Sequence, residues 1–327
     1  MQKRKKNKKV IFLTWCVLFL VLWQVHDNSL IEVRVPSSEG QNITLVMPWK
    51  DKRNLEYLFY KMTIRDEGGY TLFGTKPMHM NVYLNPFSLS TWKNYYSAMS
   101  LNHLRTYLGW KTCQKYQHLF ENSNFVFLSE KNPFWEEVCK ASNISNPNVA
   151  ILLINKVTMR EVVEKYKHDF QNVLVRKNIS YTKLLQEAQD KPFLQEVLQN
   201  HDGLIGTVFG FGRENAWLFA ERKNEDNTPL SALWSDEIEK SWKNRPTFAW
   251  NWFGVCSDEI SSNLGYPSFL ADPDSQETQE LKEQFLQTRQ KIIDYYKDKK
   301  FFEATLSILI NSENPLHDLK PSFLRPL

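Results

Sequence analysis

The chain has 327 residues, 41 of them basic and 37 acidic, for a formal charge of +4. Six of the basic residues (Lys3, Arg4, Lys5, Lys6, Lys8 and Lys9) crowd the N-terminus, leaving 35 against 37 elsewhere. With no basic stripe outside that leader, nucleic-acid binding is set aside. Hydrophobic content of 42% fits a globular body, and the 14% aromatic content supplies rings for helix packing or for glycan and protein surfaces.

The first element is the apolar run from Val10 to Val25. A positive cluster ahead of an apolar helix resists translocation, so it places residues 1–9 in the cytoplasm and the following body on the far side. At ~1.5 Å rise per residue the run covers roughly 24 Å, which requires Lys8 and Lys9 to snorkel. The exit, Trp23-Gln24-Val25-His26-Asp27-Asn28-Ser29, lacks the small residues that a signal peptidase needs. Trp23 also suits the interface of a retained helix, so a single-pass signal-anchor is favoured over a cleaved leader. Cys16 sits in mid-run behind the bulky Trp15, which argues against lipidation. Cys113, Cys139 and Cys256 are too widely spaced for a zinc motif. One disulfide with a free thiol and three reduced, buried thiols are both compatible with that spacing.

Downstream, Ile31–Val35 and Ile43–Met47 alternate apolar and polar around a turn-rich link and predict a β-hairpin. A helix is expected over Asn54–Arg65, stopped by Asp66-Glu67-Gly68-Gly69 with the glycines at positive φ. Met78–Leu84 reads as a strand with Met78, Met80, Val82 and Leu84 inward and His79, Asn81 and Tyr83 outward. A helical region follows from Leu89 to Phe120, with Trp92, Tyr96 and Met99 on one face and a break at Gly109. Phe125–Leu128 and Val149–Ile154 read as buried strands. From Thr158 onward the pattern is helical, with boundaries at Pro229, Pro246 and Pro267. A last long helix spans Gln276–Phe302, with Leu281, Phe285, Thr288, Ile292 and Tyr296 on one stripe. The economical architecture is a helix-dominated α+β domain over 29–313 with one small sheet. The anchor at 10–25 precedes it, and a proline-bearing tail at 314–327 follows.

Three stretches, Tyr70–Pro77, Ile151–Lys156 and Gly206–Ala216, resemble in order and spacing a group of uncharacterised secreted or membrane-anchored proteins of chlamydia-like intracellular bacteria. The resemblance spans about half the chain, roughly Asn54 to Phe219. It implies a bacterial envelope setting, carries no assigned activity, and makes the sequons at Asn42, Asn143 and Asn178 chance matches. In the third stretch, Gly203, Gly206 and Gly210 recur at helical steps and predict a glycine face that admits a neighbouring backbone. Gly212 then bends the chain ahead of Arg213, Glu214 and Asn215, which are candidate ligand contacts. The spacing matches neither a P-loop nor a dinucleotide fingerprint.

Catalytic signals are sparse. No His-x-x-x-His pair and no Gly-x-Ser-x-Gly elbow occurs. His201-Asp202 could orient a base, although Asp202 also suits a helix N-cap. Asp272-Pro273-Asp274 offers two carboxylates of the kind that hold a divalent metal against a sugar nucleotide, and equally an ordinary turn. Trp242, Phe248, Trp250, Trp252 and Phe253 form the densest aromatic patch. Its residues Trp250 and Trp252 are either a sugar platform or a core-facing strand. No cofactor is indicated. The sequence therefore implies a membrane-anchored, extracytoplasmic, non-catalytic interaction or envelope-associated module, with membrane, protein or glycan partners. An anchored enzyme acting on sugars or envelope material is the alternative.

Overall fold

A computed structural model describes residues 27–36, 42–84, 98–120, 123–132, 148–222, 230–234 and 258–311. The anchor, the Trp242–Phe253 patch with Trp250 and Trp252, Cys16, Cys139, Cys256 and the 314–327 tail lie outside those residues. No helix among the described residues is long and apolar enough to cross a membrane.

The period-2 runs form the expected hairpin. Strand β1 (Leu30–Pro36) pairs antiparallel with β2 (Asn42–Pro48), Val33 opposite Leu45, and turns Val33, Val35 and Met47 inward. Helix α1 (Trp49–Tyr60) starts directly after Pro48 and continues as a π-helical turn over Lys61–Arg65. The positive φ expected of Gly68 or Gly69 falls on Glu67 instead, at 72°. The glycines serve close approach: a Cβ on Gly68 would lie 2.5 Å from the Met62 carbonyl oxygen. A short helix α2 (Gly69–Phe73) leads into strand β3 (Met78–Leu84).

Helix α3 (Ala98–Lys115) runs through Gly109 without the expected break. A Cβ at Gly109 would meet Asn54 O and Leu58 Cβ, both at 2.7 Å, so this glycine lets α3 cross α1 closely. Strands β4 (Phe125–Lys131) and β5 (Asn148–Asn155) follow. The three strands make an antiparallel sheet in the order β3-β5-β4, separate from the hairpin, so the single sheet expected from the sequence is divided.

This sheet is a wall between two apolar clusters. Ile151 and Leu153 of β5, Phe125 and Phe127 of β4 and Tyr83 of β3 face a core built with the hairpin, α1, α2 and α3. Ala150, Leu152 and Ile154 of β5 and Met78 of β3 face the other core. Both faces of β3 are thus occupied, which corrects the inward-outward assignment: His79, Asn81 and Tyr83 are buried too. A strand covered on both sides needs no polar face.

The second core is covered by α4 (Lys156–Lys165), α5 (Lys167–Leu174), α6 (Tyr181–Asp190), a π-helical turn at Phe193–Val197 and α7 (Asp202–Val208). Helix α8 (Arg213–Glu221) packs on α7 through Gly206, where a Cβ would lie 2.7 Å from Ala216 Cβ. The paired residues β6 (Ser231–Ala232) and β7 (Leu270–Ala271), with α9 (Asp258–Asn263) between them in sequence, return the chain to the first core. The final stripe holds Phe285, Thr288, Ile292 and Tyr296 buried, as their spacing predicts. The single helix expected over Gln276–Phe302 is divided, however: α10 (Gln276–Tyr296) carries the whole stripe, and α11 (Phe301–Ile310) follows after a break at Asp298 with φ 60°.

Candidate functional site

At the end of the sheet, beside edge strand β3, the two layers leave a cavity of about 590 Å³. Its apolar wall includes Met80, Ile205 and three stacked rings: Phe209 lies 5.7 Å from Phe211, and Phe211 lies 4.5 Å from Phe269. Arg65, Asp66, Glu67, Lys76, His79 and Asp202 are the ionisable side chains of its lining.

Lys76 is the unusual member. Its residue is 3% exposed, and its ion pair with Glu67 Oε2 spans 3.9 Å, longer than a hydrogen bond. Burial holds its amine below the usual lysine range, with Glu67 opposing that shift. His79 is 5% exposed, and its buried Nε2 has no hydrogen-bond partner among the described residues. Burial first, then the cations Lys76 and Lys61, keep this imidazole well below its ordinary pKa, so it is neutral at pH 7. Glu67 itself occupies left-handed backbone at φ 72°, a conformation that costs a non-glycine residue about 1–2 kcal/mol. Ser268 N donates to Glu67 Oε2 at 3.3 Å and fixes the carboxylate beside the amine. Asp66, by contrast, is taken up by Lys61 and Asn81.

Lys76 is held in place from three sides. Asn155 N donates to Pro77 O at 2.9 Å, and Asn155 Nδ2 donates to Thr71 O at 3.0 Å. Gly210, at φ 75°, presses its backbone onto this segment: a Cβ there would lie 3.2 Å from Lys76 Cα and 3.1 Å from Pro77 Cδ. Gly210 therefore lies beyond α7 and is no part of a helical glycine face. The stretches Tyr70–Pro77, Ile151–Lys156 and Gly206–Ala216, distant in sequence, meet here, and the first and third contribute to the cavity lining.

The residues singled out from sequence divide between this cavity and its flank. Asp202 and Asn215 line it. His201, not Asp202, caps α7: its Nδ1 accepts from Leu204 N at 3.3 Å, and its ring lies 5.2 Å from that of Trp217. Arg213 grips Asp169 through Nε at 2.5 Å and Nη2 at 3.0 Å and stacks over Trp217. The bend at Gly212 is already filled by the protein's own anion. Glu277 accepts from Arg213 N at 2.9 Å and Glu214 N at 2.8 Å, and Glu214 in turn accepts from Ser275 Oγ at 3.2 Å. Asn215 Oδ1 accepts from Asp272 N at 2.9 Å. Asp272 Oδ1 accepts from Asp274 N at 3.0 Å, so Asp272-Pro273-Asp274 forms a side-chain-closed turn, with Ser275 as the N-cap of α10. Among the described residues no group of three His, Cys, Asp or Glu side chains could hold a metal ion.

Lys76, His79 and Glu67 were not apparent as a site from the sequence. The only signal was a lysine and a histidine flanking the start of an apolar strand, which says nothing about a cavity assembled from residues near 67, 206 and 269. Comparison with known proteins gives no match to any family model, curated protein or solved structure.

Proposed function

We propose that this protein is a membrane-anchored, non-catalytic binding module whose extracytoplasmic body captures a small organic molecule in the cavity beside β3. The apolar run Val10–Val25 with its basic flank supports the anchoring. The observation that carries the binding is Lys76, 3% exposed in the cavity lining, with Glu67 Oε2 3.9 Å from its amine and beyond hydrogen-bond length. Burying an ammonium without compensation is expensive, and a bound acceptor or loss of the proton removes the penalty. The enzyme reading based on Asp272 and Asp274 has less support, because the Asp272 carboxylate is occupied in its own turn.

The test uses the full chain in lipid nanodiscs. Ser268 is exposed at the cavity rim, so Ser268→Trp should plug the opening without disturbing the core. A library of small aromatic and aliphatic fragments, screened by ligand-observed NMR, should give ligands that bind the wild type and fail on Ser268→Trp. A library in which no fragment distinguishes the two proteins would remove the binding role. Retention of the full chain in membranes through an alkaline carbonate wash checks the anchor separately, and release into the supernatant would overturn it.

A further inference from the structure

Resting on the binding-module reading, the geometry points to Lys76 as a reversible covalent trap: the cavity takes an apolar aldehyde or ketone and holds it as an imine on Nζ. Three observations carry this. First, Lys76 lines a cavity walled by Phe209, Phe211, Phe269, Ile205 and Met80, and its ion pair with Glu67 exceeds hydrogen-bond length. Second, the formal charges nearest the amine balance, Lys76 against Glu67, with Asp66 engaged by Lys61. A neutral ligand suits that balance better than an anion, which would meet the Glu67 carboxylate beside the amine. Third, Glu67 is fixed by Ser268 N with Oε2 3.9 Å from Nζ, close enough to pass protons to and from an oxygen attached there.

The step balances without another reactant. The Nζ lone pair attacks the carbonyl carbon, and the C=O π electrons move to oxygen. A proton moves from nitrogen to that oxygen by way of Glu67, giving a neutral carbinolamine. Protonation of the hydroxyl and departure of water then leave the C=N bond, with Nζ losing its second proton overall: amine plus carbonyl gives imine plus one water. No oxidation occurs, and water entering the cavity reverses the reaction. Burial assists because it raises the neutral-amine fraction, which for an exposed lysine at pH 7 is only about one in 10³.

The probes are 3-phenylpropanal and its alcohol, 3-phenylpropan-1-ol, applied to the full chain in nanodiscs at pH 7. Cyanoborohydride reduces any imine, and peptide mapping locates the adduct. In the wild type, Lys76 should label at least about tenfold faster than any exposed lysine. That labelling should vanish in Ser268→Trp and be absent from Lys76→Arg, which keeps a cation but cannot form the imine. Saturation-transfer NMR with the alcohol reads the cavity independently, as the difference between wild type and Ser268→Trp. A cavity-dependent alcohol signal with adducts spread over exposed lysines, or with none, overturns the imine and leaves the binding module standing. No cavity-dependent signal and no Lys76 adduct overturns both. The wild-type map needs no variant, so a misfolded Lys76→Arg protein does not rescue the idea.

Discussion

Val175 closes α5 at φ 51° with 89% of its surface exposed, a β-branched side chain in a conformation that its own Cβ disfavours. Since the side chain is almost wholly in solvent, Val175→Gly should relieve strain with little packing loss and raise stability by about 1 kcal/mol in chemical denaturation. A lower midpoint would show that this turn relies on the valine. Glu130 is a second residue out of its ordinary state. Both its carboxylate oxygens lie 3.2 Å from Leu194 N, at the start of the π-helical turn, and burial pushes its pKa up to about 7 against the opposing pull of the backbone N–H groups of Leu194 and Phe193. The native state therefore holds this proton more tightly than the unfolded chain. Stability is full below the unfolded value near 4.5, falls as pH rises toward 7, and is flat above. Glu130→Gln removes that slope and still offers an oxygen to Leu194 N, so relative to wild type it should gain roughly 1–3 kcal/mol at pH 8 and little at pH 4. Equal differences at the two pH values would dissociate Glu130 from the effect.

Helices α8 and α10 hold each other by their N-termini. Glu277 in the first turn of α10 receives two backbone N–H groups of α8, and Glu214 in the first turn of α8 receives the hydroxyl of Ser275, the α10 cap. Each carboxylate lies where the partner helix leaves unsatisfied donors and partial positive charge. Glu277→Ala should cost roughly 1–3 kcal/mol, because two N–H groups lose their acceptor, and Glu277→Gln less. A cost from Glu277→Ala below about 0.5 kcal/mol, that of an ordinary surface substitution, would show that water caps α8 equally well. Elements of this kind mark the limit of what the sequence discloses. The hairpin, the apolar runs of β4 and β5 and the α10 stripe were all legible, because period and burial are local properties. The hinge at Asp298 was not, since nothing at Lys297–Lys300 interrupts the composition of the helical pattern. The glycine roles at 109 and 210 are hidden for a related reason: a close approach depends on a partner remote in sequence, here Asn54 O or Lys76 Cα, whereas Gly68 closes on Met62 O only six residues away. The site was less legible still. Asp202 and Asn215 could be picked out as polar residues near a glycine-rich bend, but Lys76, His79 and Glu67 acquire meaning only when the 65–80 segment folds against α7 and Phe269.

Over the molecule as a whole, β5 is the element that both layers share. Its odd-numbered residues Ile151 and Leu153 enter one core and its even-numbered residues Ala150, Leu152 and Ile154 the other, all essentially inaccessible to solvent. Backbone pairing on both edges, to β3 and β4, ties the two faces together. Interiors packed to crystal-like density transmit a shift of one strand to everything seated on it. The cavity sits at the open end of this wall, with Glu67 and Phe269 supplied from one layer and Ile205 and Phe209 from the other. Its shape consequently depends on the layers unfolding and refolding as a unit. Leu152→Ala tests that dependence. The truncation touches only the α4–α7 side and should lower stability by about 2–5 kcal/mol. If β5 couples the layers, amide hydrogen exchange should accelerate in α1 and α2 across the sheet as well as in α4 and α7, by similar factors in the slowest-exchanging amides. Acceleration confined to α4–α7 would mean that the layers open independently, and a cavity bounded by both would then have no fixed volume in which to hold a ligand.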